Sequence, residues 1–320
     1  MNAPLPKKGA SNHRVSVDLA RRLISLATRA PSVHNTQPWV WRLRDDRLEL
    51  YADWTRRLEV TDPHGRNLVM SCGAALHHLR VAASAIGWDP IVTRVADSSD
   101  PSLLAWVRLS PAPRPPSAES DLRAIRERCT DHRRFTSWPV PDERLARLAA
   151  IAHDQGSHAT ALTDLADRLR VESLHSRAHL LQGRNRSVAT EADRWADRPV
   201  HDGGAFSRLP GPGLLEDDRG DDIEGGDGLV LLHDTDDSPM AWLRAGESLS
   251  ALWLHVASQG LSIVPLSQVV EVDETRDVLQ HQVLGGLAAP MLLIRVGWQA
   301  IGRSRLEATP RRPVADVLLL

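Results

Sequence analysis

The chain has 320 residues, 42% of them apolar, and its 39 basic and 41 acidic side chains nearly cancel. That size and balance fit one large globular domain or two compact lobes, and they exclude a long disordered tail and a nucleic-acid-coating surface. No apolar run reaches the about 18 residues of a membrane span, residues 1–14 lack the apolar stretch of a secretory signal and read as a flexible arm, and two unpatterned cysteines, Cys72 and Cys129, fit a reducing cytoplasm.

In chain order, Ser16 caps a predicted helix over 16–29, with Leu19, Leu23, Ile24 and Ala27 at helical spacing and Pro31 as its stop. "WVWRL" (39–43) and "RLELYAD" (47–53) alternate like paired strands. Asp62 and Pro63 open a second helix that runs to Gly87, and strands follow at 90–97 and 103–110. "SPAPRPPSAES" (110–120) is a linker by composition, and a helix leads from it into "RERCTDHRRF" (126–135). Further helices are expected over 141–156, about 164–197 and 239–260, with strands at 158–163, 228–234, 261–268 and 290–298. Residues 199–228 are rich in Gly, Pro and Asp and show no period, which suggests a lid or an insert.

Two windows repeat one pattern. "GAALHHLRVAASAIG" (73–87) and "GESLSALWLHVASQG" (246–260) are both bounded by glycines. Leu76 matches Leu249, Leu79 matches Leu252, Val81 matches Leu254 and Ala83 matches Val256. Each window closes a helix and leads to an apolar strand. The pattern points to a duplicated α+β chain, with a first lobe over 15–112 and a second over 119–320.

Three stretches carry candidate chemistry. "APSVHNTQPW" (30–39) places Ser32, His34, Asn35, Thr36 and Gln37 between two prolines. On its own it fits either a rigid hydrogen-bonded turn or a binding loop. "RERCTDHRRF" fits either a solvated basic helix end or a phosphate site, in which Arg128 and Arg133 offer forked donors and Thr130 a hydroxyl. "TPRRP" (309–313) brings Arg311 and Arg312. Rival chemistries are thinner. His175 and His179 have the i, i+4 spacing of a metal pair but no third ligand, and "DDRGDDIEGGDG" lacks the spacing of a calcium loop. No dinucleotide-binding glycine motif or P-loop is present, and neither cysteine sits in a nucleophile motif.

The loop "APSVHNTQPW" resembles the flavin-contacting P-S-x-x-N-x-Q-P-W loop of the nitroreductase family. "RCTDHRRF" is similar to that family's R-x-[ST]-x-R-x-F phosphate motif, with His132 where Arg is frequent and Arg134 where Pro is frequent. "GLSIVPLSQ" (260–268) resembles the segment lying along the flavin ring, and "TPRRP" the C-terminal basic clip. Here the loop precedes the arginine motif, the reverse of ordinary homodimeric members, and the matching position of the second half reads only "DQGSHAT". That order, with "TDPHGRNLVMSCGAALHHLR" (61–80), resembles the Acg-like, dormancy-associated branch of fused pseudo-dimers.

The resemblance implies an α+β nitroreductase-like fold with one FMN between the lobes, acting as a monomer, beneath a lid at 199–228. It places Pro31, Ser32, Val33 and Asn35 on the flavin from the first lobe. Arg128, Thr130 and Arg133 would hold the phosphate, Pro265, Leu266 and Ser267 would lie along the ring, and Arg311 or Arg312 would close the phosphate end. The implied activity is hydride transfer from NAD(P)H through the flavin to an electron-poor small molecule, a nitroaromatic or quinone. No side-chain acid or base is required at the ring, so no residue is nominated as catalytic. Two alternatives remain open. One is a protein that stores or sequesters FMN beneath its lid; the other is an interaction protein without flavin. Neither nucleic acid nor membrane is an expected partner.

Overall fold

In a computed structural model, which describes residues 15–95, 99–196, 223–302, 306 and 308–320, the chain folds around two mostly antiparallel sheets. The expected arm at 1–14 and residues 199–222 of the expected lid lie outside the described residues.

The first sheet grows from helix α1 (Val17–Ala27), capped by the Ser16 hydroxyl, which accepts from the Leu19 N–H. Strands β1 (Trp39–Arg44) and β2 (Arg47–Ala52) form a hairpin. Helix α2 (Arg66–Ala85) then crosses to β3 (Trp88–Arg94) and β4 (Leu103–Pro111). Helices α3 (Ala118–Glu127) and α4 (Asp142–Asp154) lead to the second sheet. Its strands are β5 (His158–Ala161), β6 (Gly228–Asp234), β7 (Leu261–Leu266) and β8 (Ala289–Trp298). Helices α5 (Leu165–Gly183) and α6 (Arg186–Ala196) follow β5, and α7 (Pro239–Ala257) follows β6. Short helices α8 (Gln268–Glu271) and α9 (Asp273–Val278) lie between β7 and β8. The chain ends in α10 (Val314–Val317) and β9 (Leu318–Leu319).

The strand order β1-β2-β4-β3 of the first sheet recurs as β5-β6-β8-β7 in the second, with every neighbouring pair antiparallel. In both, a long helix follows the second strand. The first sheet alone carries a further strand, β9, which joins β1 in parallel from the far end of the chain. In β6, Val230 and Leu232 face the main core while Leu229 and Leu231 face a smaller cluster with Val171, Val264 and Leu279. That period of two explains why the second sheet is covered on both faces.

Helices α2 and α7 pack against each other at the centre, and two glycines set their separation. A Cβ on Gly73 would collide with the Leu243 carbonyl, and one on Gly246 with the Met70 carbonyl. Each carbonyl belongs to the residue three before the opposing glycine, so the contact is reciprocal. These are the glycines that open the two repeated windows.

Two sequence expectations about these elements are corrected, and one element was not expected. The second helix begins at Arg66, not at Asp62, because Gly65 adopts φ +80 and interrupts the turn. Asp62 still caps it from outside, accepting from the Leu68 N–H at 2.9 Å. The single helix over 164–197 is two, broken after Gly183, where Asn185 accepts from the Ser187 N–H and starts the second. The strand at the C-terminus was not expected, since two residues leave no periodic signal.

Replacing either crossing glycine should therefore destabilise the protein. Gly73→Ala and Gly246→Ala are each expected to cost about 1–3 kcal/mol through overpacking. Gly183→Ala, where an added methyl at the end of α5 meets nothing within 4 Å, should be neutral to mildly stabilising. Thermal unfolding followed by circular dichroism checks this; unchanged midpoints in both crossing variants would show that the close approach is not required.

Candidate functional site

The loop after α1 is strained. His34, Asn35 and Gln37 have φ of 46, 50 and 48, a left-handed region that non-glycine residues enter at a cost. Its hydrogen bonds are correspondingly dense. The Ser32 hydroxyl accepts from the Gln37 N–H at 3.0 Å, and the Ser71 hydroxyl on α2 accepts from the Val33 N–H at 3.3 Å. The C-terminal segment completes the brace. Asn35 donates to the Pro310 carbonyl at 3.2 Å, the Arg312 N–H donates to the buried Gln37 side chain at 2.8 Å, and the Arg312 guanidinium reaches the Gln37 carbonyl at 3.0 Å. Arg312 also lies 3.8 Å from Asp53. It therefore fastens the loop, whereas Arg311 reaches both the Asn35 side-chain oxygen, at 3.4 Å, and the residue before the loop.

Arg311 joins Arg29 and Arg128. The Arg29 carbonyl accepts from Arg128 at 3.2 Å and from Arg311 at 3.3 Å, while the Arg29 side chain donates to the Arg126 carbonyl at 2.8 Å. Arg128 follows the end of α3 and lies over the Trp253 ring, 4.7 Å from its centre. Nε of Arg29 and of Arg311, and both Nε and Nη1 of Arg128, are buried with no hydrogen-bond partner among the described residues. No carboxylate among the described residues pairs with any of the three. Burial, then the neighbouring cations, pushes Arg311 down to about 9. Burial, with Arg29 adding to it, takes Arg128 down to about 10. Three crowded guanidiniums with donors to spare fit an anion with several acceptor oxygens.

Arg133, expected beside Arg128, instead grips Asp131 in a fork, at 2.8 and 2.7 Å. Thr130 is half-buried in the extended stretch between them. Pro265 and Leu266 end the edge strand β7, and Ser267 starts α8. The first turns of α2 connect this end to the loop. Asn67 donates to Glu271 on α8 at 2.9 Å, and one turn later Ser71 meets Val33, beside Pro31 and Ser32. Thus the structure brings 31–37, Arg128 and Arg311 into one neighbourhood, and 265–267 lead into α8, which meets the same face of α2 one turn before the loop does.

Sequence reasoning missed several contributors. Arg29 immediately precedes the motif it serves. Ser71 and Trp253 sit inside helices that read only as core. Helix α6 was read as part of one long helix, yet its Glu191 accepts from the Val60 and Thr61 N–H groups at 2.9 and 3.0 Å. Its Trp195 stacks 5.4 Å from Arg56, which donates to the Thr36 carbonyl. Cys72 is buried, its thiol pushed up by desolvation, and it donates to the Pro38 carbonyl, so it serves the loop as packing. Among the described residues no group of three His, Cys, Asp or Glu side chains could hold a metal ion, and no helix is long and apolar enough to cross a membrane.

No protein-family model matches the chain. It is 33% identical over 337 aligned residues to the putative NAD(P)H nitroreductase Rv3131 of Mycobacterium tuberculosis, covering 99% of this chain and 97% of the relative. It is 32% identical over 320 aligned residues to the putative NAD(P)H nitroreductase acg of the same organism, covering 95% and 96%. Among solved structures, an FMN-bound nitroreductase from Bacteroides fragilis aligns over 59% of this chain and 94% of its own, at 14% identity and a TM-score of 0.40.

The cation cluster makes a prediction of its own. Inorganic phosphate should raise the thermal midpoint of the wild-type protein by binding the folded state. Arg311→Gln should raise the ligand-free midpoint, by relieving repulsion, and abolish the phosphate effect. A phosphate response that survives this substitution would place the anion elsewhere.

Proposed function

Because the chain belongs to the nitroreductase family, we propose that it is an FMN-dependent oxidoreductase with one flavin between two tandem lobes, 15–112 and 119–320. The observation that carries this reading is the set of buried, unpartnered guanidinium donors on Arg29, Arg128 and Arg311. A flavin phosphate suits them: it is dianionic and offers several acceptor oxygens, and each charged hydrogen bond contributes about 1.5–3 kcal/mol. Bound FMN would supply hydride chemistry between NAD(P)H and an electron-poor acceptor of the nitroaromatic or quinone type.

The chain's own residues bind and orient. Arg128, held flat by Trp253, and Arg311, delivered by the C-terminal clip, take the phosphate. Pro31, Ser32, Val33 and Asn35 present a rigid edge, because the strain and hydrogen bonds of the loop leave it one conformation. Pro265, Leu266 and Ser267 line the ring from the second lobe, and Arg133, forked onto Asp131, orders the segment that carries Arg128 and Thr130 at the phosphate end. Helix α6 backs the loop through Trp195, which packs on Arg56, the donor to the Thr36 carbonyl, while its Glu191 holds the 60–61 segment.

The single-site reading has support in the repeat. Shifting by the spacing of Gly73 and Gly246 maps Ser71 onto Arg244 and Trp253 onto Arg80. Arg244 forms a fork with Asp234, and Arg80 pairs with the fully buried Glu247 at 3.0 Å. The corresponding region of the other half is thus neutralised by its own ion pairs.

Purified protein should be yellow, carry one FMN per chain and sediment as a monomer. Arg128→Ala and Arg311→Ala should each weaken FMN retention about tenfold or more. Anaerobic NADPH should bleach the flavin spectrum. A colourless protein that ignores added FMN would refute the flavin reading, and a bound flavin untouched by NADPH would favour storage over turnover.

A further inference from the structure

A buried histidine pair lies beside the cation cluster and has no assigned role. His77 and His78 on α2 both place Nδ1 2.8 Å from the Ser250 hydroxyl on α7. The repeat maps position 77 onto Ser250 itself and position 78 onto Ala251, so His78 has no counterpart in the other half. Its Nδ1 also lies 3.1 Å from the Ala74 carbonyl. A carbonyl only accepts, so the His78 ring carries its proton on Nδ1 and shares it with Ser250. Ser250 then donates its own proton to His77 Nδ1. With the ring neutral, His78 Nε2 is a bare lone pair.

That lone pair is fully buried and has no hydrogen-bond partner among the described residues. Burial holds the ring neutral, and the Arg128 charge, then His77 and Arg311, act on it in the same direction. The same neighbourhood therefore contains an orphan acceptor and several orphan donors that do not meet directly. A fully ionised phosphate oxygen satisfies only the donors. A hydroxyl satisfies both, accepting from a guanidinium and donating to the imidazole.

We propose that His78 Nε2 accepts a hydrogen bond from a ribityl hydroxyl of FMN, so that the site recognises the polyol beside the phosphate as well as the phosphate. This rests on the flavin reading above. It makes His78 a selectivity residue: the pocket prefers a phosphate ester carrying hydroxyls over inorganic phosphate, and FMN over its deoxyribityl analogues.

The test uses His78→Asn, whose amide nitrogen takes the place of Nδ1 toward Ala74 and Ser250 and leaves nothing at Nε2. FMN dissociation constants, read from quenching of flavin fluorescence, should rise about tenfold in the variant. Of the 2′-, 3′- and 4′-deoxy analogues of FMN, one should bind wild type about tenfold more weakly than FMN does and lose nothing further in His78→Asn. Nitrogen-15 NMR of histidine-labelled wild-type protein provides a readout that needs no variant: FMN should shift the His78 Nε2 resonance in the direction of a hydrogen-bonded acceptor, and inorganic phosphate should not. Equal FMN affinity in wild type and His78→Asn, or an Nε2 resonance unmoved by saturating FMN, would overturn the proposal while leaving the flavin reading intact. Failure of wild type to bind FMN would overturn both.

Discussion

The approach of α2 to α7 through Gly73 and Gly246 is the constraint on which the rest of the molecule depends. With no side chain at either position, the backbones meet and each glycine faces a carbonyl of the other helix. This fixes the distance between the two sheets, because each helix belongs to the core of its own sheet. It also fixes the site. His78 and Ser71 ride on α2, Trp253 rides on α7, and Arg128 lies across the pair. Wider separation would leave Arg128 without its aromatic floor and Ser250 out of reach of both histidines.

The site itself opposes folding. Buried guanidiniums repel one another, and a loop with three residues at positive φ stores strain. The loop is held from three directions: by Ser71 on α2, by the Pro310–Arg312 clip, and by Arg56, which packs on Trp195 of α6 and donates to the Thr36 carbonyl. An anion in the cluster would turn this opposition into stabilisation. Anion binding there would accordingly be coupled to folding more tightly than at a site lined by neutral groups.

Much of this was legible in the chain. The glycine-bounded windows announced two equivalent helices, and the spacing of Leu76, Leu79, Leu249 and Leu252 placed their buried faces. The α+β class and most strands followed from period-two alternation. The loop at 30–39 and Arg128 stood out because prolines and charges are conspicuous. What stayed hidden has physical reasons. Gly65 breaks the start of α2 through its dihedral angle, which a favourable Asp-Pro opening masks. Arg133 and Arg128 look alike in sequence, and only Asp131, two residues away, separates their fates. His78 hides among apolar neighbours because a buried acceptor and a core residue occupy the same helical stripe.

Strand β9 adds to the open edge of β1, and the clip that holds the 30–37 loop precedes it by a few residues. The other four strands of that sheet come from residues 39–111, whereas the clip meets the loop across a separation of 275 residues. Such non-local closures cost loop entropy before any contact rewards them. The shape of the loop is thus a property of the whole chain: the first sheet with its own helices, taken alone, has neither the strand that covers β1 nor the brace that holds 30–37.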